Sequence, residues 1–246
     1  MPEEYRVYDF KPRTDWKNTA IKIAGGFLVI FFLWVLLNGL PSVLNTLYKQ
    51  IVTIPIFIIS LTLHEMGHAY MANYLGDPTP RLMGRLSFNP LKHLDIWGTL
   101  LFIFCGFGWA KPVQVEARNF KNPNRDMVNV ALAGPLTNIL IAIISCILFK
   151  IALMSFGNGL VTVYMFAICN YTVLINVMLT IFNMIPLPPL DGSRLILYIL
   201  PARYRATYYR LQQYSIFIFL FLFMYAGRLI APASSYITDI IVNTFI

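Results

Sequence analysis

His64-Glu65-Met66-Gly67-His68 is the stretch whose residue types and spacing point most directly to chemistry. On a helix, residues i and i+4 share a face one turn apart, so both imidazoles can address one metal ion. Glu65 then stands beside that ion, where it can act as a base on water. The setting sharpens this reading. From Ile51 to Ala72 these three are the only Asp, Glu, Lys, Arg or His side chains, inside a run that otherwise reads as a membrane span. Ionisable groups at membrane depth are costly and are functional candidates by default. A chance His-Glu-x-x-His there would carry three polar side chains for no gain.

Two histidines do not complete a catalytic zinc site, which usually has three protein ligands plus water. His93 lies in the polar turn Asn89–Asp95 beside basic residues and reads as an interfacial loop histidine rather than a ligand. Cys105, Cys146 and Cys169 fall in three different apolar segments without CxxC spacing, as reduced packing residues do. The better third ligand is Asp191. It follows Pro186, Pro188 and Pro189, which cannot continue a helix, so the chain must unwind and restart with Asp191 near a new N-terminus. Irregular backbone at membrane depth is tolerated only in a protein interior or a wet cavity. Taken alone, Asp191 would serve equally as the N-cap of the helix from Gly192. Coupled to His64 and His68 at matching depth, it is the stronger candidate ligand.

The elements that must position these residues are membrane helices. Hydrophobic residues make up 58% of the 246 and charged ones 12%, against about 25% charged in soluble domains. Apolar runs long enough to span occur at Ile21–Leu37, Ile51–Leu75, Val128–Leu153, Val161–Ile185 and Gln213–Ala226 with its extension to Ile230. The first 20 residues contain Glu3, Glu4, Asp9 and Asp15 and no small-residue cleavage site, so a retained signal anchor is expected. Ile96–Ala110 is shorter and interrupted by Gly98, Gly106 and Gly108. If it does not cross, Lys49, Lys150 and Arg228 fall on one side and the other 16 of the 19 basic residues on the opposite side. The positive-inside rule makes that larger group cytoplasmic, and Ile96–Ala110 reads as re-entrant. The net charge of +8 is therefore topology, not a nucleic-acid footprint.

The expected fold is thus all-α and polytopic: a single membrane domain over 1–246 with five to six spans, a re-entrant segment and a small membrane-associated β hairpin. Five crossings put the N-terminus in the cytoplasm and the zinc-type motif in the inner half of the second span. The apolar tail Ser234–Ile246 is expected to lie along the outer interface. Gly84–Phe88 and Pro112–Val115 read as extended, either to pair with an unwound substrate or as a hairpin that only plugs the re-entrant loop. Polar segments 76–95 and 111–126 are expected to wall a channel by which water reaches the site.

The paired motifs His64-Glu65-Met66-Gly67-His68 and Asn183-Met-Ile-Pro-Leu-Pro-Pro-Leu-Asp191-Gly192 resemble the site-2 protease family of intramembrane zinc metalloproteases. The resemblance extends to Arg85-Leu-Ser-Phe-Asn-Pro90, Phe107-Gly-Trp-Ala-Lys-Pro112 and Ala133-Gly134-Pro135-Leu-Thr-Asn138, covering about residues 50–200. It implies hydrolysis of peptide bonds in or near a transmembrane segment of a membrane-protein substrate in the cell membrane. One Zn2+ would sit on His64, His68 and Asp191, with Glu65 as the base and Asn138 and Asn183 helping to hold substrate. For each asparagine, ordinary interhelical hydrogen bonding is the simpler alternative. In a departure from better-known members, no PDZ domain is expected to interrupt the chain and no nucleotide-binding regulatory domain is expected after the last span.

A membrane metal-binding protein or ion carrier is the competing class, because inward-facing His and Asp also mark ion pathways. Glu65 separates the two, since a carrier has little use for a non-ligand glutamate beside the first histidine.

Overall fold

The computed structural model describes residues 39–105 and 108–246, together with 25, 29, 32 and 35–37. The chain divides into two compact units, Met1–Lys49 and Gln50–Ile246, and every residue singled out above for chemistry belongs to the second. The span expected at Ile21–Leu37, like the signal anchor, falls mostly outside the described residues.

Among the described residues, three helices are long and apolar enough to cross a membrane: α1 (Leu40–Tyr74), α4 (Pro123–Phe156) and α5 (Leu160–Asn183). Between α1 and α4 come the short α2 (Thr79–Leu82) and α3 (Ile96–Cys105); after α5 come α6 (Gly192–Ile199), α7 (Ala202–Gln212) and α8 (Ser215–Phe245). Helix α4 starts with Pro123 in its first turn and stops at Gly157, whose φ of 63° lies in the left-handed region that favours glycine. Its outward stripe, Leu136, Leu140, Ile144, Leu148 and Ile151, is 52–58% exposed. An aliphatic face that open would be a large liability in water; against lipid it is the expected surface.

The core forms where helices meet. Ala142, Cys146 and Phe149 of α4 pack on Cys169, Val173 and Val177 of α5. Cys146 and Cys169 are buried free thiols, as packing cysteines should be. A second cluster joins Phe57 and Leu61 of α1 to Phe102 of α3 and to Ile175 and Leu179 of α5.

The C-terminal tail is part of a helix: α8 continues unbroken to Phe245, and Ile241, Val242, Phe245 and Ile246 pack on the α4–α5 cluster. The same stripe buries Ser234 and Thr238. Helical spacing gathers these residues on one face, and a groove between two helices buries that face more fully than a flat interface does.

Helix α3 has ten residues, about 15 Å of rise, half of a bilayer core. Asp95 caps it by accepting the Gly98 N–H at 2.9 Å. Leu94, before the helix, pairs antiparallel with Ala110 after it, and Lys111 N–H donates to His93 O at 2.7 Å. The chain therefore leaves and returns at adjacent points. A Cβ on Gly98 would stand 2.2 Å from Trp109 O, so glycine is what lets the returning backbone lie against the helix. The β element is smaller than a hairpin. Among the described residues the Leu94–Ala110 bridge is isolated, and Gly84–Phe88 and Pro112–Val115 form no strand. The Val113 N–H is drawn instead to Glu65, while the Gly84 and Arg85 N–H groups go to the turn carbonyls of Arg81 and Pro80.

Candidate metal centre

The centre is built by packing α1 against one stripe of α4 and bringing the loop after α5 over both. Val130, Gly134 and Asn138 recur at four-residue spacing and so share a helix face. All three meet the two histidines. His68 Nδ1 lies 2.7 Å from Val130 O, and His64 Nδ1 lies 3.1 Å from the Asn138 side-chain amide. A Cβ on Gly134 would fall 2.4 Å from His68 Nε2 and 2.6 Å from His64 Cε1. The imidazoles thus occupy the space that any larger residue at 134 would fill. One turn along, Gly67 makes the reciprocal approach, and its Cβ would meet Thr137 Oγ1 at 2.5 Å and Ala133 O at 3.0 Å.

Asp191 arrives from the proline-rich loop. It sits at the N-cap position of α6 but makes no capping hydrogen bond. Instead Oδ2 lies 3.3 Å from Nε2 of both His64 and His68, while the two Nε2 atoms are 3.1 Å apart. Gly192 permits the turn, since its Cβ would clash with Met184 O at 2.3 Å. Residues 127 positions apart in sequence therefore end at one point.

The donor set fits a zinc ion. His68 Nδ1 faces a carbonyl oxygen, which only accepts, so Nδ1 carries the hydrogen and Nε2 presents a lone pair. Asp191 Oδ2 is buried without a hydrogen-bond donor. These atoms lie within 4.8 Å of one another, and lone pairs converging at such separations repel unless a cation stands among them. Tetrahedral zinc with bonds of 2.0–2.1 Å sets neighbouring ligand atoms about 3.3 Å apart, which matches the separations found.

Glu65, 8% exposed, is beside the triad but outside it. Its Oε2 accepts the Val113 N–H at 3.1 Å. Val113 belongs to a strap, Lys111–Glu116, pinned at both ends. At one end the buried Arg85 donates through Nη1 to Lys92 O and Lys111 O. At the other, Asp77 Oδ2 accepts the Glu116 N–H at 2.8 Å, and Oδ1 accepts from Asn119 Nδ2 at 2.7 Å and Thr79 Oγ1 at 2.6 Å. Burial pushes the Asp77 carboxyl up, but these donors outweigh it and hold it below its ordinary range.

His93, in the turn before α3, is 0% exposed, and its Nε2 bonds Ser87 O at 2.8 Å. It braces the strap and lies outside the metal-ligand group. Asn183 is half-buried, its Nδ2 on Leu179 O at 3.0 Å, and Asn138 is wholly buried. The roles of Asp77, Arg85 and Gly134 are not legible from their motifs. The four-residue repeat of Val130, Gly134 and Asn138 is the signal that could have found the α4 stripe.

Comparison with known proteins agrees with this centre. The model for peptidase family M50 matches residues 52–166 and 150–226. The chain belongs to peptidase family M50, and the resemblance to site-2 proteases stands. It is similar to YwhC of Bacillus subtilis, named as a zinc metalloprotease, at 37% identity over 84% of this chain and 88% of that one. Zinc metalloprotease MJ0392 of Methanocaldococcus jannaschii is 28% identical over 76% of this chain but 45% of its own length. Rip2 of Mycolicibacterium smegmatis is 28% identical over 70% of this chain and 64% of its own. No solved structure matches.

Proposed function

We propose that His64, His68 and Asp191 hold one zinc ion and that Glu65 is the base with which this intramembrane metalloprotease cleaves membrane-protein substrates. The observation that carries this reading is the convergence of His64 Nε2, His68 Nε2 and Asp191 Oδ2 beside the unshared carboxylate of Glu65. Bound zinc supplies Lewis acidity, which acidifies water and polarises a carbonyl. Glu65 takes the proton of the attacking water and returns it to the leaving amine. The Val113 N–H holds the carboxylate in place for that transfer. Asn183, at the end of α5 near the Asp191 loop, binds backbone groups of the substrate. A helical substrate hides its peptide bonds in i to i−4 hydrogen bonds, so the segments cut are those whose Gly, Pro or Asn make local unwinding cheap.

The chain crosses the membrane five times with its N-terminus in the cytoplasm. The adjacent ends of segment 94–110 support a re-entrant loop, and the 31-residue α8 supports the last crossing. The non-ligand glutamate favours hydrolysis over metal carriage.

The test is Glu65→Gln in the full chain. Metal analysis should find zinc retained, while cleavage of candidate single-span proteins in cells falls about 10²–10⁴-fold. Undiminished cleavage would remove Glu65 from the chemistry.

A further inference from the structure

We propose that Asn138 is a positioning residue for the metal centre: its side-chain carbonyl accepts the Nδ1–H of His64 and keeps that ring's Nε2 turned toward the metal. This rests on His64 being a ligand, as argued above.

Asn138 is 0% exposed, so it offers no surface to a substrate in the cleft. Its Nδ2 stands 3.1 Å from His64 Nδ1, and its Oδ1 is buried without a partner. Amide oxygen and nitrogen exchange places by a half-turn that moves no other atom, and partners decide which faces which. Here the partner's state is fixed from its far side. His64 Nε2 faces His68 Nε2 at 3.1 Å and Asp191 Oδ2 at 3.3 Å. As a ligand it presents its lone pair there, which leaves the ring hydrogen on Nδ1 and requires an acceptor opposite. Oδ1 is that acceptor.

The same helix face treats His68 in the same way. Val130, eight residues earlier, takes its Nδ1–H with a backbone carbonyl at 2.7 Å. One stripe of α4 therefore supplies two carbonyl oxygens, one from main chain and one from Asn138, on either side of Gly134. Each orients one imidazole. A peptide carbonyl cannot be lost by mutation; the asparagine can, which makes it the testable half of the pair.

Outer partners of ligating histidines are worth about 10–100-fold in metal affinity. Full-length Asn138→Leu, close in volume but without an acceptor, should weaken zinc by that factor in competition with a chromophoric chelator. The visible absorption of the Co2+-substituted protein should shift with it, since ring orientation alters the ligand field. Asn138→Asp, which keeps an acceptor, should restore zinc affinity to within about threefold of the parent, because carboxylates serve the same role. If the leucine variant does not fold, Asn138→Ala carries the same comparison. Parent-like zinc affinity and Co2+ spectrum in the leucine or alanine variant would overturn the inference and leave Asn138 as an ordinary interhelical hydrogen-bonding residue. So would failure of the aspartate to rescue. Parent-like zinc affinity in His64→Ala would instead sink the ligand assignment itself.

Discussion

Gly134→Ala puts a single methyl group where the imidazoles of both His64 and His68 already stand. The new Cβ would lie 2.4 Å from His68 Nε2, 2.5 Å from His68 Cε1 and 2.6 Å from His64 Cε1. Ordinary contact needs about 3.4 Å or more, so something must move by about 1 Å. The rings cannot yield independently, because Val130 O and Asn138 hold their far edges. Zinc coordination tolerates about 0.2 Å of error in ligand distance, five times less than the displacement required. Fold stability should respond far less. Overpacking costs about 1–3 kcal/mol, while alanine recovers about 1 kcal/mol of helix propensity over glycine. The expected variant is therefore folded and metal-poor: helical by circular dichroism, with zinc affinity down at least about 100-fold and cleavage lost. Gly159→Ala, where a Cβ meets nothing within 4 Å, is the control for glycine replacement in this bundle. If Gly134→Ala binds zinc as the parent does, the stripe of α4 does not define the site and α1 and α4 do not pack in this register.

Gly67→Ala should destabilise by about 1–3 kcal/mol, and Thr137→Ala should relieve most of that, because the nearest clash is with Thr137 Oγ1 at 2.5 Å. Strictly additive effects in a thermal-unfolding double-mutant cycle would refute the contact. Asp77 gives a pH dependence with a defined sign. Its folded pKa is lowered, so its stabilisation of the strap is complete above the ordinary aspartate value of about 3.9 and fades as pH falls through the lower folded value. Asp77→Asn should therefore loosen the strap even at neutral pH. Amide exchange at Val113 and Glu116 should rise about tenfold or more at pH 7, since hydrogen bonds to a charged group are each worth about 1.5–3 kcal/mol. Equal protection in parent and variant would show that the strap is anchored elsewhere.

Much of this centre was legible in the chain itself. The His64–His68 pair is local, because i to i+4 spacing on a helix fixes it before any tertiary contact forms. The three prolines before Asp191 forced a break, since proline cannot donate to a helix, and a lone ionisable group at such a break pointed to function. The apolar runs behind α1, α4 and α5 are equally local, because a span must satisfy its backbone internally. For Asp191, which the sequence left between capping and ligation, the fold turns Oδ2 to the histidines and leaves the cap unmade. Tertiary structure alone decided the rest. The four-residue repeat on α4 marks a shared face, but which helix lies against the imidazoles, why residue 134 must lack a side chain, and that Asn138 faces His64 depend on the register between α1 and α4, which only packing sets. The burial of His93 and the packing of the C-terminal stripe likewise depend on surfaces contributed by distant segments. Local sequence sets what each helix can present; only packing sets what it meets.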